Sequence, residues 1–235
     1  MSPPFWQHVA TTLNLLASGL RTQARGMAQS FAGRHRSRVI DLVAGAAPYQ
    51  SLFAAGSITY VTYDRDDGSQ VRIRPGEAVP LPLDDASLVL SFQELEHLWG
   101  LDWYLSEARR LLSDDRRLVL STYGTWLFHP HQPDFWRWTR IGLQAELEQR
   151  GFETEFVRGL VGQLAWTTQF RAIDFHHLLT RIPLVCGFVA AVVSATFHVR
   201  MKIEDWVTPQ EWIDANAAIY LVVGRKRLAE PSADT

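Results

Sequence analysis

The chain has 235 residues, 47% of them apolar and 20% charged, with 23 Lys and Arg against 25 Asp and Glu and a net charge of −2. That balance excludes overall disorder and gives no electrostatic case for a nucleic-acid partner, while the length suits one generous domain, 1–235. The single cysteine, Cys186, excludes an intramolecular disulfide framework and a CxxC zinc site, so a reducing, cytoplasmic setting with no metal is expected.

Taken in chain order, Met1–Trp6 lacks the charged and then apolar regions of a secretory signal. Apolar, β-branched runs at Val39–Val43, Ile58–Tyr63, Leu88–Phe92, Leu118–Thr122, Thr154–Val157 and Ala218–Val223 read as strands. Helical spacing falls between them. In Leu101–Leu112 the apolar residues Leu101, Tyr104, Leu105, Ala108 and Leu111 recur every three or four positions. Thr139 caps a helix that turns Leu143 and Leu147 inward and stops at Gly151. Thr208, Pro209 and Glu211 read as N-cap, N1 and N3 of a short helix. Strands alternating with helices in this way predict a doubly wound α/β fold with a mostly parallel sheet.

One stretch departs from that rhythm. Between the strand near Phe156 and the strand near Ala218 lie about sixty residues, against the usual connection of roughly two to six. With helical patterns at Leu164–Leu179 and Leu184–His198, residues 160–215 are expected to form a helical cap over the carboxyl edge of the sheet. The nearly apolar run Ile182–Val199 is interrupted by Pro183, Ser194, Thr196 and His198. A membrane span needs about 20 apolar residues. A buried helix is therefore the preferred reading of the run. Peripheral membrane or lipid contact through 182–199 is the alternative, and a span is a remote third.

The chemistry is expected where the first strand hands over to a loop, because open α/β sheets bind ligands at the carboxyl ends of their strands. That loop runs Asp41-Leu42-Val43-Ala44-Gly45-Ala46-Ala47-Pro48-Tyr49, and Gly45 permits backbone angles closed to other residues. Asp64 ends the second strand about twenty residues later, where a carboxylate bonds ribose hydroxyls in nucleoside-binding folds. The spacing alone suits S-adenosylmethionine or a nicotinamide equally well. His97, His129, His131 and Asp134 are the candidate bases. Five of the nine tryptophans fall between Trp99 and Trp138. Most are expected to pack core or cap. Trp126, Trp136 and Trp138 follow a strand end where an acceptor would dock.

Read together, these segments resemble a class I S-adenosylmethionine-dependent methyltransferase of the small-molecule or glycan-pathway type. Val39-Ile40-Asp41-Leu42 with Gly45 and Pro48-Tyr49 is similar to that family's first motif, and Tyr60–Asp64 to its second strand and ribose-binding acid. Gly76-Glu77-Ala78 with Leu81-Pro82, then Leu88–Ser91 with Leu95-Glu96-His97, then Arg117–Thr122, resemble its later segments in order. His129-Pro130-His131 with Asp134 and Trp136-Arg137-Trp138-Thr139 is similar to a subgroup of bacterial members. The resemblance implies a seven-stranded Rossmann-like sheet and S-adenosylmethionine as cofactor. Asp41, Val43, Ala44 and Gly45 would then lie at its methionine part, Asp64 and Arg65 at the ribose, Glu77 and Ala78 at the adenine, and Ser91 and Gln93 at the transfer site. The implied reaction methylates a hydroxyl or amine of a small molecule or glycan, lipid-linked ones included. Val43 stands where the family has its first loop glycine, and Ala47 where it has the last. The alternative is a catalytically inactive, methyltransferase-like binding or scaffold subunit.

Overall fold

A computed structural model describes residues 38–42, 58–63, 71–73, 76–128, 133–180 and 187–228. Seven strands form one sheet: β1 (Arg38–Leu42), β2 (Ile58–Tyr63), β3 (Val71–Ile73), β4 (Ala86–Phe92), β5 (Leu112–Tyr123), β6 (Phe152–Leu160) and β7 (Ile219–Lys226). Their spatial order is β3-β2-β1-β4-β5-β7-β6. The strand order reverses between β1 and β4, which pair in parallel from Val39 opposite Leu88 to Asp41 opposite Leu90. In doubly wound sheets such a reversal marks the carboxyl-end position at which ligands bind. Only β7 runs against its neighbours, antiparallel to both β5 and β6.

The central strands read as near-continuous apolar runs because both faces of the sheet are covered. Leu88, Val89 and Leu90 of β4, Leu118–Leu120 of β5 and Leu221–Val223 of β7 are all buried. The helix α1 (Leu101–Leu111) packs Tyr104, Leu105, Ala108 and Leu111 into the same core, where each buried leucine contributes about 2 kcal/mol. α2 (Arg140–Gln149) begins at Thr139, whose Oγ1 accepts from Gly142 N at 3.1 Å, and buries Leu143 and Leu147. It ends at Gly151, whose φ of +82° carries the chain into β6.

The long connection is helical: α3 (Gln163–Thr180), α4 (Gly187–Val207) and the short α5 (Gln210–Ala215). Because Leu160 and Tyr123 both pair with Ile219, this insertion leaves and re-enters the sheet at its carboxyl edge. α5 rests on β6, where Gly159 leaves room for the Ile213 carbonyl that any side chain would meet.

Four expectations need correction. The strands at β4, β5 and β6 extend beyond the apolar runs, because flanking polar residues continue the ladder where one side meets solvent. The three-residue β3 is too short to leave a periodic signal. Pro209, not Thr208, is the N-cap residue of α5, since the Thr208 hydroxyl donates back to the Glu204 carbonyl at 2.5 Å. The run 182–199 is also not a buried helix where its burial is described: residues 192–199 are half-buried or exposed, while residues 181–186 lie outside the described residues. Among the described residues no helix is long and apolar enough to cross a membrane.

Candidate functional site

At the carboxyl end of β1, Asp41 is buried, and burial pushes its carboxyl up to about 7. The adjoining strand end is tied to it through α1. Tyr104 Oη lies 2.8 Å from Ser91 Oγ and 3.2 Å from the Leu42 carbonyl. A carbonyl only accepts, so the phenol donates to Leu42 and receives the Ser91 hydroxyl. Ser91 is fully buried and its hydroxyl is engaged there.

Gln93, one residue beyond β4, behaves differently. Its φ of +58° places a non-glycine residue in the left-handed region, at a cost of about 1 kcal/mol or more. Ser121 holds it there, accepting from Gln93 N at 2.8 Å and from Nε2 at 3.1 Å. Oε1 is buried and has no hydrogen-bond partner among the described residues. A buried amide oxygen left unpaired costs about 1–3 kcal/mol, which a ligand donor would recover.

Glu77 and Ala78 are exposed in the segment before β4. That segment is fixed by α1: Trp103 Nε1 donates to the Glu77 carbonyl at 2.8 Å, and Val79 N donates to Glu107 Oε2 at 2.8 Å. Burial would raise the Glu107 carboxyl, but the Arg110 and Val79 hydrogen bonds hold it below its ordinary value.

The acceptor-side candidates converge in a second cluster. Leu95–His97 forms one 3₁₀ turn beyond β4, and residues 133–139 dock on it. Phe135 N donates to the Glu96 carbonyl at 2.8 Å, and Trp136 Nε1 to the Leu98 carbonyl at 2.7 Å. His97 Nδ1 lies 2.6 Å from the Pro133 carbonyl, so that nitrogen carries the proton and Nε2 is the basic one in the neutral ring. Asp134 sits in the cluster but is committed. Its carboxylate, 2% exposed, accepts from Arg137 Nη1 at 2.6 Å and Nη2 at 2.7 Å. This pairing holds the Arg137 pKa above its ordinary value and makes Asp134 a poor proton acceptor.

Arg137 was not singled out by the sequence, yet it fastens the whole cluster. Nε donates to the Trp126 carbonyl at 3.1 Å, Nη2 to the Leu127 carbonyl at 2.8 Å, and the guanidinium lies 5.4 Å from the Tyr123 ring centroid. Trp126 stacks on Tyr123 at 5.7 Å and meets Phe170 of α3 edge-on at 5.6 Å, which joins the insertion to the site. Trp136 stacks between Trp99 and Trp138 at 5.6 and 5.7 Å. Trp99, 73% exposed, forms the solvent face of that stack. Trp138 Nε1 is buried without a partner among the described residues.

Glu96 is the other residue that composition and spacing passed over. It is fully buried, accepts from Thr122 Oγ1 at 2.7 Å on Oε2, and leaves Oε1 without a partner among the described residues. Burial pushes its carboxyl up to about 7, against the Thr122 hydrogen bond and the Arg137 charge, which pull it down. Burial likewise raises the Tyr123 phenol well above its ordinary value, with the Glu96 charge adding to it.

Val43, Ala44, Gly45, Asp64, Arg65, His129 and His131 lie outside the described residues. No group of three or more metal-binding side chains occurs among the described residues. A cleft of about 610 Å³ lies at the opposite end of the sheet, between Leu83, Arg109, Arg150 and Lys226. Arg150 there pairs with Asp102 and Glu146, and Lys226 with Asp84 and Asp114.

No protein-family model matches the chain. A protein of Mycolicibacterium smegmatis bearing the name "Probable S-adenosylmethionine-dependent methyltransferase" is 35% identical over 99 residues, which are 39% of this chain and 38% of that protein. The match thus spans well under half of that relative. The geranyl diphosphate C-methyltransferase of Streptomyces coelicolor A3(2), solved with Mg²⁺, geranyl diphosphate and S-adenosyl-L-homocysteine, is similar with a TM-score of 0.53. It is 12% identical over 91% of this chain and 82% of that one. The Haemonchus contortus phosphoethanolamine N-methyltransferase 2, solved with S-adenosyl-L-methionine, gives 0.50 at 12% identity, over 87% of this chain and 52% of that one. The [4+2]-cyclase SpnF also gives 0.50, at 14% identity over 87% and 81%. These likenesses establish the class I methyltransferase fold, and the cyclase shows that the fold alone does not fix the chemistry.

Proposed function

We propose that this chain, whose fold is that of the class I S-adenosylmethionine-dependent methyltransferases, is itself such an enzyme and methylates a hydroxyl or amine of a small-molecule acceptor. The observation that carries the reading is the reversal of strand order between β1 and β4, with buried Asp41 and the left-handed Gln93 at the carboxyl ends, the Gln93 Oε1 buried and without a partner among the described residues. Those groups fit a ligand rich in N–H and O–H donors, as the cofactor's ribose, adenine and amino groups are. S-adenosylmethionine supplies a methyl group already made electrophilic by its sulfonium.

The chain's own task is then alignment and exclusion of water. Asp64 receives the ribose hydroxyls, Arg65 flanks it, and Glu77 and Ala78 border the adenine. The loop Val43-Ala44-Gly45 follows the methionine part. The acceptor enters between Trp126 and the Trp99–Trp136–Trp138 stack, flat faces that suit sugar rings or apolar arms. His97 Nε2 would take up the proton that the acceptor hydroxyl or amine gives up when it is methylated. His129 and His131 are further candidates for that step, and Asp134 acts through Arg137 as a positioning residue. Glycans, lipid-linked ones included, are acceptors of the right chemical class, and the cytoplasm is the setting.

Val43 in place of a glycine favours one rival, a non-catalytic binding or scaffold subunit. Calorimetric titration with S-adenosylhomocysteine separates the two. The enzyme reading predicts binding, and Asp64→Ala weakening it by about 1–3 kcal/mol, a factor of roughly 5 to 150. No heat of binding at millimolar ligand leaves the scaffold reading.

A further inference from the structure

Over residues 192–207 the outer side of α4 is apolar. Val192, Val199, Ile203 and Trp206 are between 48% and 84% exposed. At about 100° of turn per residue, their spacings of seven, four and three place them in one stripe along the helix. Ala195, Thr196 and Val207 are exposed within the same arc. Met201, on the opposite side of the helix, is buried, and the Phe197 ring lies 5.7 Å from Phe175 of α3. The stripe is therefore not what holds the hairpin together. From Val192 to Val207 it runs about 22 Å, and a soluble surface seldom leaves so coherent an apolar strip open.

Charge decides what it fits. Arg200 and Lys202 flank the stripe on its two sides, both exposed. The acids of the same turns face the protein: Glu204 accepts from Arg200 at 2.7 Å with its other oxygen buried, and Asp205 accepts from Gly162 N at 2.9 Å. The solvent side thus presents apolar groups edged by Lys202 and by Arg200, whose Nε is shared with Glu204, with the largest aromatic, Trp206, near one end. That is the layout of a helix lying in a bilayer interface: apolar groups in the headgroup–acyl boundary, tryptophan at its margin, cations at the phosphates.

We propose that this face of α4 seats the protein on the surface of an anionic phospholipid bilayer. The docking is peripheral, since no described helix is apolar enough to cross. It stands whether or not the chain transfers a methyl group. If it does, the contact of Trp126 with Phe170 couples the acceptor entrance to the membrane-seated insertion.

The test is flotation of the full chain with vesicles of phosphatidylcholine alone and with about 30% phosphatidylglycerol. The expected result is recovery with the anionic vesicles at least about threefold above the neutral ones, lost at high salt. Ile203→Glu with Trp206→Glu changes only exposed positions, so its thermal melt should match wild type while the protein stays in the soluble fraction. Wild type that floats with neither vesicle, or equally with both, overturns the proposal. So does a double variant that floats like wild type. A wild-type dimer in sedimentation that the double variant converts to monomer, with no flotation, assigns the stripe to a second copy instead.

Discussion

The two ends of the sheet handle charge in opposite ways. At the amino end of β5, Arg117 meets Glu155 at 2.7 Å, Arg225 meets Glu153 at 2.6 Å, and Lys226 meets Asp84 at 2.5 Å. Most of these partners are open to water, and such pairs are individually worth little. At the carboxyl end, Glu96 and Asp41 are buried carboxyls held near 7, and Gln93, Glu96 and Trp138 each leave a buried polar atom without a partner among the described residues. Arg109 Nε and Thr154 Oγ1 are the exceptions at the amino end among the described residues. The contrast separates charge that decorates a fold from polarity that the fold keeps available. Unpaired buried groups persist when their surroundings hold them and when a ligand completes them.

Breaking the Arg137 clamp should have the largest effect. Arg137→Ala strands the buried Asp134 carboxylate and frees the Trp126 and Leu127 carbonyls, at a cost of about 3–5 kcal/mol in urea denaturation. A loss below about 1 kcal/mol would show that the cluster is held by its aromatic stacking alone.

Glu96→Gln comes next and is read against pH. The folded chain holds the Glu96 carboxyl near 7 instead of 4.5, so between those values it keeps a proton that the unfolded chain has released. The stability Glu96 contributes is therefore full below about pH 4.5 and falls as pH rises to about 7. The Gln variant has no such slope and should gain on wild type by up to about 3 kcal/mol across that window. Parallel denaturation curves would mean that Glu96 is ionised in the native state.

At the other end, Arg117→Ala should cost about 0.5 kcal/mol and lose even that at high salt. A cost above about 2 kcal/mol would erase the distinction between the two ends.

Much of this architecture is legible in the residues. The apolar runs at Val39, Ile58, Leu88, Leu118 and Ala218 declare the strands, since central strands bury both faces. Asp41, Ser91, Gln93, His97 and Trp136 lie at or beyond strand ends, where the spacing places them. Glu96 is harder to see, because nothing in Leu95-Glu96-His97 reveals that the middle side chain is the buried one. Arg137 carries no signal either, since an Arg three residues after an Asp usually marks a solvated pair. The exposure of α4 is hidden by its composition, as an apolar helix reads the same whether its outer face is covered or open.

The central claim is that the carboxyl edge binds the nucleoside cofactor, and hydrogen exchange with and without saturating S-adenosylhomocysteine tests it most directly. The account predicts slowed exchange in peptides covering 41–49, 62–66 and 91–98, with 112–117 and 224–227 unchanged. Protection confined to the second set, or none at all, would contradict it.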